Sequence, residues 1–188
     1  MDFEIEIQSE EFGYDPQNVD RTSPSGNKYL VKVLNDLNIT DNDSIIDVGS
    51  GKGSAMRSMH KFPFARVDGV ELSESIANIA IRNFEILNVE RCDVFICDAS
   101  IFQHYDHYNY IYFFNPFPSI VMNKVMQKIY QSIQGINREI IIIYNHPVYH
   151  EMIIKQGVFS RIAIYPAAWN HQMNIYSNKK ARYSRIER

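Results

Sequence analysis

The sequence predicts an α/β domain: a seven-stranded, mainly parallel sheet in three layers, closed by an antiparallel hairpin at its end. Short apolar runs rich in Ile, Val and Phe alternate with longer stretches at helical spacing, the rhythm of strand–helix–strand units. The run Glu139 to Tyr144 is almost pure isoleucine, as expected of a strand buried on both faces. No repeat, low-complexity tract or Gly/Ser linker interrupts the 188 residues, so residues 1–188 read as a single domain.

Each element follows from local chemistry. Ser44 to Val48 reads as the first strand, followed by a glycine-rich turn and a helix from Ser54 to Lys61. Arg66 to Glu71 is the second strand. Ser73 is placed to cap a helix over 75–87, whose Ile76, Ile79, Ala80, Phe84 and Leu87 fall on one face. Asp93 to Cys97 is a third strand and Tyr108 to Phe114 a fourth. A helix from Ser119 to Gln134 stops at Gly135. After the isoleucine strand come a short helix, Val148 to Gln156, and a hairpin of Val158 to Tyr165 with Gln172 to Tyr176. In a sheet of this kind ligands bind beyond the carboxyl ends of the strands, so the residues just after each strand are the ones to read.

Composition narrows the class. The chain is 45% hydrophobic and 22% charged, which excludes a disordered or collagen-like protein. Nineteen Lys+Arg against 22 Asp+Glu give a net charge of -3, so no global field draws it to nucleic acid or anionic lipid. Cys92 and Cys97, read as lying in one strand, point to opposite faces and do not pair. With no bilayer-length apolar run and an acidic start, a reducing cytoplasmic setting without membrane contact is the expectation. The acids of residues 1–20 and the bases Lys179, Lys180, Arg182, Arg185 and Arg188 of the tail read as solvated termini. A sharper reading of the basic tail, 179–188, is a contact for an anionic substrate.

The chemistry concentrates at the strand ends. After the first strand stands Asp47-Val-Gly49-Ser50-Gly51-Lys-Gly53, whose glycines permit a tight turn and close backbone approach by a ligand. A phosphate-binding P-loop fails because Gly53, not Ser or Thr, follows Lys52, and the dinucleotide reading G-x-G-x-x-G is weakened by Ser54 and the G-x-G-x-G spacing. The second strand ends in Glu71, able to accept from two ribose hydroxyls. The third ends in Asp98-Ala99, able to read an adenine edge or simply to form an Asx turn.

The series Asp47-x-Gly49-x-Gly51-x-Gly53, Glu71 and Asp98, each closing a successive strand, resembles the class I S-adenosylmethionine-dependent methyltransferases, in particular small single-domain bacterial-type members. The likeness runs from Ser44 to Tyr144 and implies the Rossmann-like methyltransferase fold, with S-adenosyl-L-methionine as cofactor. It implies that Gly49, Ser50, Gly51 and Gly53 wrap the methionine part and that Asp47 orients the loop. Glu71 would hold the ribose, Leu72 would pack on the adenine, and Asp98 with Ala99 would read its edge. The segment 1–23, with Tyr14 and Thr22, resembles a flap over the cofactor.

After the fourth strand comes Phe113-Phe114-Asn115-Pro116-Phe117-Pro118, near the Asn/Asp-Pro-Pro-aromatic of methyltransferases that modify planar amines, but with the aromatic one place early. Asn115 and Pro116 are therefore candidate pocket residues, with a rigid turn opening the next helix as the plainer account. His146, after the fifth strand, is the best-placed general base, unless it caps the following helix. His104, Asp106 and His107 could line the substrate mouth; His146 and His150 fit no metal pattern, so no metal is expected. Trp169, between the last two strands, reads as core or hairpin packing. The expected acceptor is a small molecule. A nucleic-acid amine or protein side chain is the alternative, and a non-catalytic cofactor-binding module a further one.

Overall fold

Ser44–Val48 forms β1, Arg66–Glu71 β2, Val94–Ile96 β3, Tyr110–Phe114 β4, Ile141–Asn145 β5, Ser160–Pro166 β6 and Gln172–Ser177 β7. The computed structural model, which describes residues 1–3, 25–114 and 117–179, joins them in one sheet of order β3-β2-β1-β4-β5-β7-β6. Strands β3, β2, β1, β4 and β5 run parallel, while β7 lies antiparallel between β5 and β6. The chain order reverses between β1 and β4, which makes the carboxyl ends of these two strands the crevice of the sheet.

The helices are α1 (Lys28–Asp36), α2 (Ser54–Met59), α3 (Glu74–Ile86), α4 (Ser119–Ser132) and α5 (His150–Ile154). Strand alternation sorts the core into two layers. Ile45, Tyr110, Tyr112, Ile141, Ile143 and Met173 meet α1, α2 and α3 on one face. Ile46, Val48, Ile111, Phe113, Ile142 and Tyr144 meet α4 and α5 on the other. The isoleucines of β5 are buried on both faces, as their composition predicts.

Ser73 caps α3 as expected, its hydroxyl accepting from the Ile76 N–H at 3.4 Å. Helix α1 escaped the sequence reading. Asn27 starts it by accepting from the N–H groups of Tyr29 (3.0 Å) and Leu30 (3.4 Å), and Leu30, Val33 and Leu34 are its buried stripe. Strand β3 is shorter than the predicted 93–97, so Cys92 and Cys97 flank it rather than share it; both are unbonded thiols. Strand β4 starts late because Tyr105–His107 form a single 3₁₀ turn, after which Tyr108 Oη donates to Asp68 at 2.6 Å. Helices α2, α4 and α5 are each a turn or less shorter than predicted, and β5 extends to Asn145. No helix among the described residues is long and apolar enough to cross a membrane.

The first three residues dock beside the sheet. Asp2 exchanges backbone bonds with the Asn83 amide (3.0 and 2.8 Å) and its carboxylate meets Lys52 Nζ at 2.5 Å, while Phe3 packs against Phe84. The sequence reading leaves Asp2 in solvent; in the structure it neutralises a lysine whose side chain is 1% exposed.

Candidate functional site

The glycine loop leaves β1 in three left-handed steps, with φ of 83° at Gly49, 54° at Gly51 and 83° at Gly53. A side chain at Gly53 would also strike the Phe84 ring at 2.6 Å. The loop is pinned to β2. The N–H groups of Gly49 and Ser50 both donate to Val70 O (2.9 and 3.0 Å), that of Gly51 to Glu71 Oε2 (2.9 Å), and that of Gly53 to Ser50 O (3.0 Å). Those four donors are therefore spent within the protein. A phosphate cradle works by aiming backbone N–H groups at the anion, and none of the four serves that end here.

Two carboxylates lie beneath the loop on the face shared with α1 to α3. Asp47 is 3% exposed, and burial together with the Glu71 charge pushes its pKa up from 3.8 to about 8. Glu71, 7% exposed, is also raised by burial, against the pull of bonds from the Ser73, Gly51 and Leu72 backbone. Its Oε1 accepts from Ser73 N–H and its Oε2 from Gly51 N–H, both at 2.9 Å, and with the Leu72 bond one of the carboxylate's four lone pairs remains. Next to them Ser50 Oγ is buried and has no hydrogen-bond partner within the described residues. It packs over Gly69, where an added Cβ would lie 2.5 Å from that hydroxyl. The negative charge of Glu71 that helps keep Asp47 protonated at neutral pH also disfavours a phosphate nearby.

Outward from this pocket, Leu72 is 41% exposed and presents apolar surface at the end of β2. Asp98 forms the Asx turn foreseen as one option, Oδ1 accepting from Ser100 N–H at 2.7 Å, which leaves Oδ2 as an acceptor. Ala99 is buried and its carbonyl accepts from Tyr105 Oη at 3.0 Å.

On the other side of β1 the same face continues with Tyr112 and Phe114 of β4 and Asn145 of β5. Asn145 Nδ2 donates to Tyr112 Oη at 3.3 Å. Phe114, the Cα partner of Asn145, stacks parallel to Trp169 with centroids 6.2 Å apart. His146 follows with φ of 53°, its N–H bonded to Gln172 O at 2.9 Å and its ring stacked on His171 at 3.8 Å. It does not cap α5, whose cap position is Tyr149. Asn115, Pro116, Tyr14 and Thr22 lie outside the described residues, as does the tail beyond Lys179.

Two expectations are corrected. Of the two readings of Trp169, core packing is excluded by its 60% exposure, and the residue sits in the turn of the β6–β7 hairpin, stacked on Phe114. His104, Asp106 and His107 do bring their ligand atoms within 4.8 Å of one another. They sit just before β4, where Asn109 bonds to Ser44 O and receives Ile141 N–H at the amino ends of the strands, so they cannot line a mouth at the carboxyl ends. His150 Nδ1 pairs with Tyr176 Oη at 2.8 Å. Tyr112 and Asn145 were missed, although their two-residue spacing from Phe114 and Ile143 places them on the Asp47 face.

The sheet order and the antiparallel β7 are those of the class I S-adenosylmethionine-dependent methyltransferase fold. No family model and no curated protein matches the sequence, so the likeness is one of structure. The putative methyltransferase yhhF from Escherichia coli superposes with a TM-score of 0.63 at 13% identity, over 82% of this chain and 88% of its own. A point mutant of MtNAS in complex with S-adenosylmethionine gives 0.60 at 17%, over 79% of this chain; this chain spans 61% of its length. An S-adenosylmethionine-dependent methyltransferase from Aquifex aeolicus gives 0.58 at 12%, over 79% and 88% of the two chains.

Proposed function

We propose that the protein is a methyltransferase that binds S-adenosyl-L-methionine at the β1/β2 edge and methylates a small molecule. The observation that carries this is the buried Asp47–Glu71 pair under a loop whose Gly49, Ser50, Gly51 and Gly53 N–H groups are already bonded. A guest bearing an ammonium and a sulfonium would let Asp47 release the proton it holds at neutral pH, whereas the pyrophosphate of a dinucleotide would meet the negative charge that raises the Asp47 pKa. The orphaned Ser50 hydroxyl and the remaining lone pair of Glu71 fit a polar ligand with hydroxyls to donate.

The bound cofactor supplies a methyl group on a positively charged sulfur. In this reading Asp47 holds the glycine loop and faces the cationic end, Glu71 accepts from the ribose hydroxyls, and Leu72 and Asp98 flank the base. Positioning supplies most of the rate in such an in-line displacement. His146, at the carboxyl end of β5, accepts the proton that a hydroxyl or ammonium acceptor must lose. The two free thiols, Cys92 and Cys97, are consistent with a cytoplasmic enzyme.

Thermal unfolding with S-adenosylhomocysteine tests the reading. A ligand at 100 times its dissociation constant stabilises by about 2.7 kcal/mol, which at this chain length raises the midpoint by roughly 5–11 °C. We expect that shift in the wild type and its loss in Asp98→Ala and Glu71→Gln. A shift with a nicotinamide dinucleotide instead would overturn the assignment.

A further inference from the structure

We infer that the exposed face of the Trp169 indole is the platform on which the methyl acceptor stacks, and that the acceptor is a small molecule with a planar aromatic ring. This rests on the methyltransferase reading above and adds the substrate class to it.

Trp169 is the single tryptophan of the chain and is 60% exposed, an unusual place for a side chain that gains so much from burial. Its backbone is left-handed (φ 54°), as are those of Asn170 (φ 60°) and of His146 (φ 53°) across the strand pair. None of the three is glycine, so the conformation is disfavoured at each and is kept only where neighbouring bonds enforce it. Those bonds are present. Ala167 N–H donates to His171 O at 2.8 Å, His171 N–H to Ala168 O at 3.0 Å, and His146 N–H to Gln172 O at 2.9 Å. The turn between β6 and β7 is thus built to hold the indole out.

The indole is also aimed. One face lies parallel to Phe114 at 4° between planes, and the high exposure leaves the other face open to a ligand. Phe114 ends the described part of β4 on the sheet face that carries Tyr112, Asp47 and Glu71. The carboxylates at the ends of β1 and β2 and the indole over Phe114 at the end of β4 therefore lie on one edge and one face of the sheet, and His171, two residues after the indole, is stacked on His146. A flat apolar surface of this kind recognises an aromatic ring by stacking, and an aliphatic acceptor gains little from it.

The fluorescence of Trp169 reports directly on its own site. With the protein saturated in S-adenosylhomocysteine, phenol is titrated and its saturated analogue cyclohexanol serves as control. Saturable quenching by phenol, with none by cyclohexanol, is expected. In saturation-transfer NMR the phenol signal should fall in Trp169→Leu and return in Trp169→Phe, and binding should weaken about two- to twelvefold in the leucine variant. Purely collisional, non-saturating quenching, or a phenol signal unchanged in Trp169→Leu, would overturn the inference. The midpoint shift induced by S-adenosylhomocysteine is measured on both variants as well. Its presence without ring binding sinks the platform alone, and its absence in the wild type sinks the methyltransferase reading beneath it.

Discussion

The pairing of Lys52 with Asp2 makes an asymmetric prediction. Lys52 stands inside the glycine loop with its side chain 1% exposed, whereas the Asp2 side chain is 35% exposed. Asp2→Asn strands a buried ammonium. Breaking a buried pair costs about 3–5 kcal/mol, and because the solvent-facing side of Asp2 screens the interaction we take about 2–3 kcal/mol. For a domain of this size that lowers the unfolding midpoint by about 4–12 °C. Lys52→Met keeps a stem of similar length in the same slot and removes the buried charge, while Asp2, 35% exposed, keeps its access to water, so the cost should stay within about 1 kcal/mol. The double variant should resemble Lys52→Met rather than the sum of the two. The assay is thermal unfolding of the four proteins in one buffer, read as a double-mutant cycle. Equal losses in the two single variants, or a double variant equal to their sum, would refute the claim that burial of the lysine sets the energetics.

Asp47 predicts a pH dependence. Its folded pKa, about 8, lies above the ordinary value of 3.8, so the folded state holds a proton that the unfolded chain has lost. Stability is therefore full below about pH 4 and declines as pH rises toward 8, and Asp47→Asn should flatten that decline in urea titrations across the range. Gly69→Ala places a Cβ 2.5 Å from Ser50 Oγ and 2.7 Å from Met56 Sδ; we expect about 1–3 kcal/mol of destabilisation from calorimetry, and a weakened response to S-adenosylhomocysteine because the loop must move. Once an acceptor is found, His146→Gln should lower the maximal rate and remove the acid limb of the rate–pH profile while leaving cofactor affinity unchanged.

The carboxyl-edge carboxylates were legible because their meaning is local. Asp47, Glu71 and Asp98 each lie at a strand end, and a strand end can be read from a dozen residues. The two-sided burial of β5 was legible for the same reason, since only a doubly covered strand tolerates four consecutive isoleucines. What could not be read was how segments far apart in sequence meet. The docking of Asp2 on Lys52 spans fifty positions, and the stacking of Phe114 on Trp169 joins strands that neither periodicity nor spacing links. The left-handed backbones at His146 and Trp169 carry no glycine to announce them, so the tryptophan was read as core or hairpin packing and its exposure was not foreseen. Helix α1 was passed over for a different reason: its nine residues bury only three apolar side chains, a stripe too narrow to stand out beside the runs that follow.

The place of β7 has a consequence for how the protein is made. Five parallel strands are finished once Asn145 has been synthesised, and the next in sequence, β6, bonds to none of them. It waits for β7, whose residues run to Ser177, to be slotted in between. At ribosomal speeds the intervening stretch takes roughly 2–6 s to emerge, and for that time the isoleucine-rich rim of β5 is an unpaired edge of the growing sheet. Nascent copies crowded on one messenger would present that rim to one another, so slowing translation between β5 and β7 should lower the yield of soluble protein even though the finished molecule is unchanged.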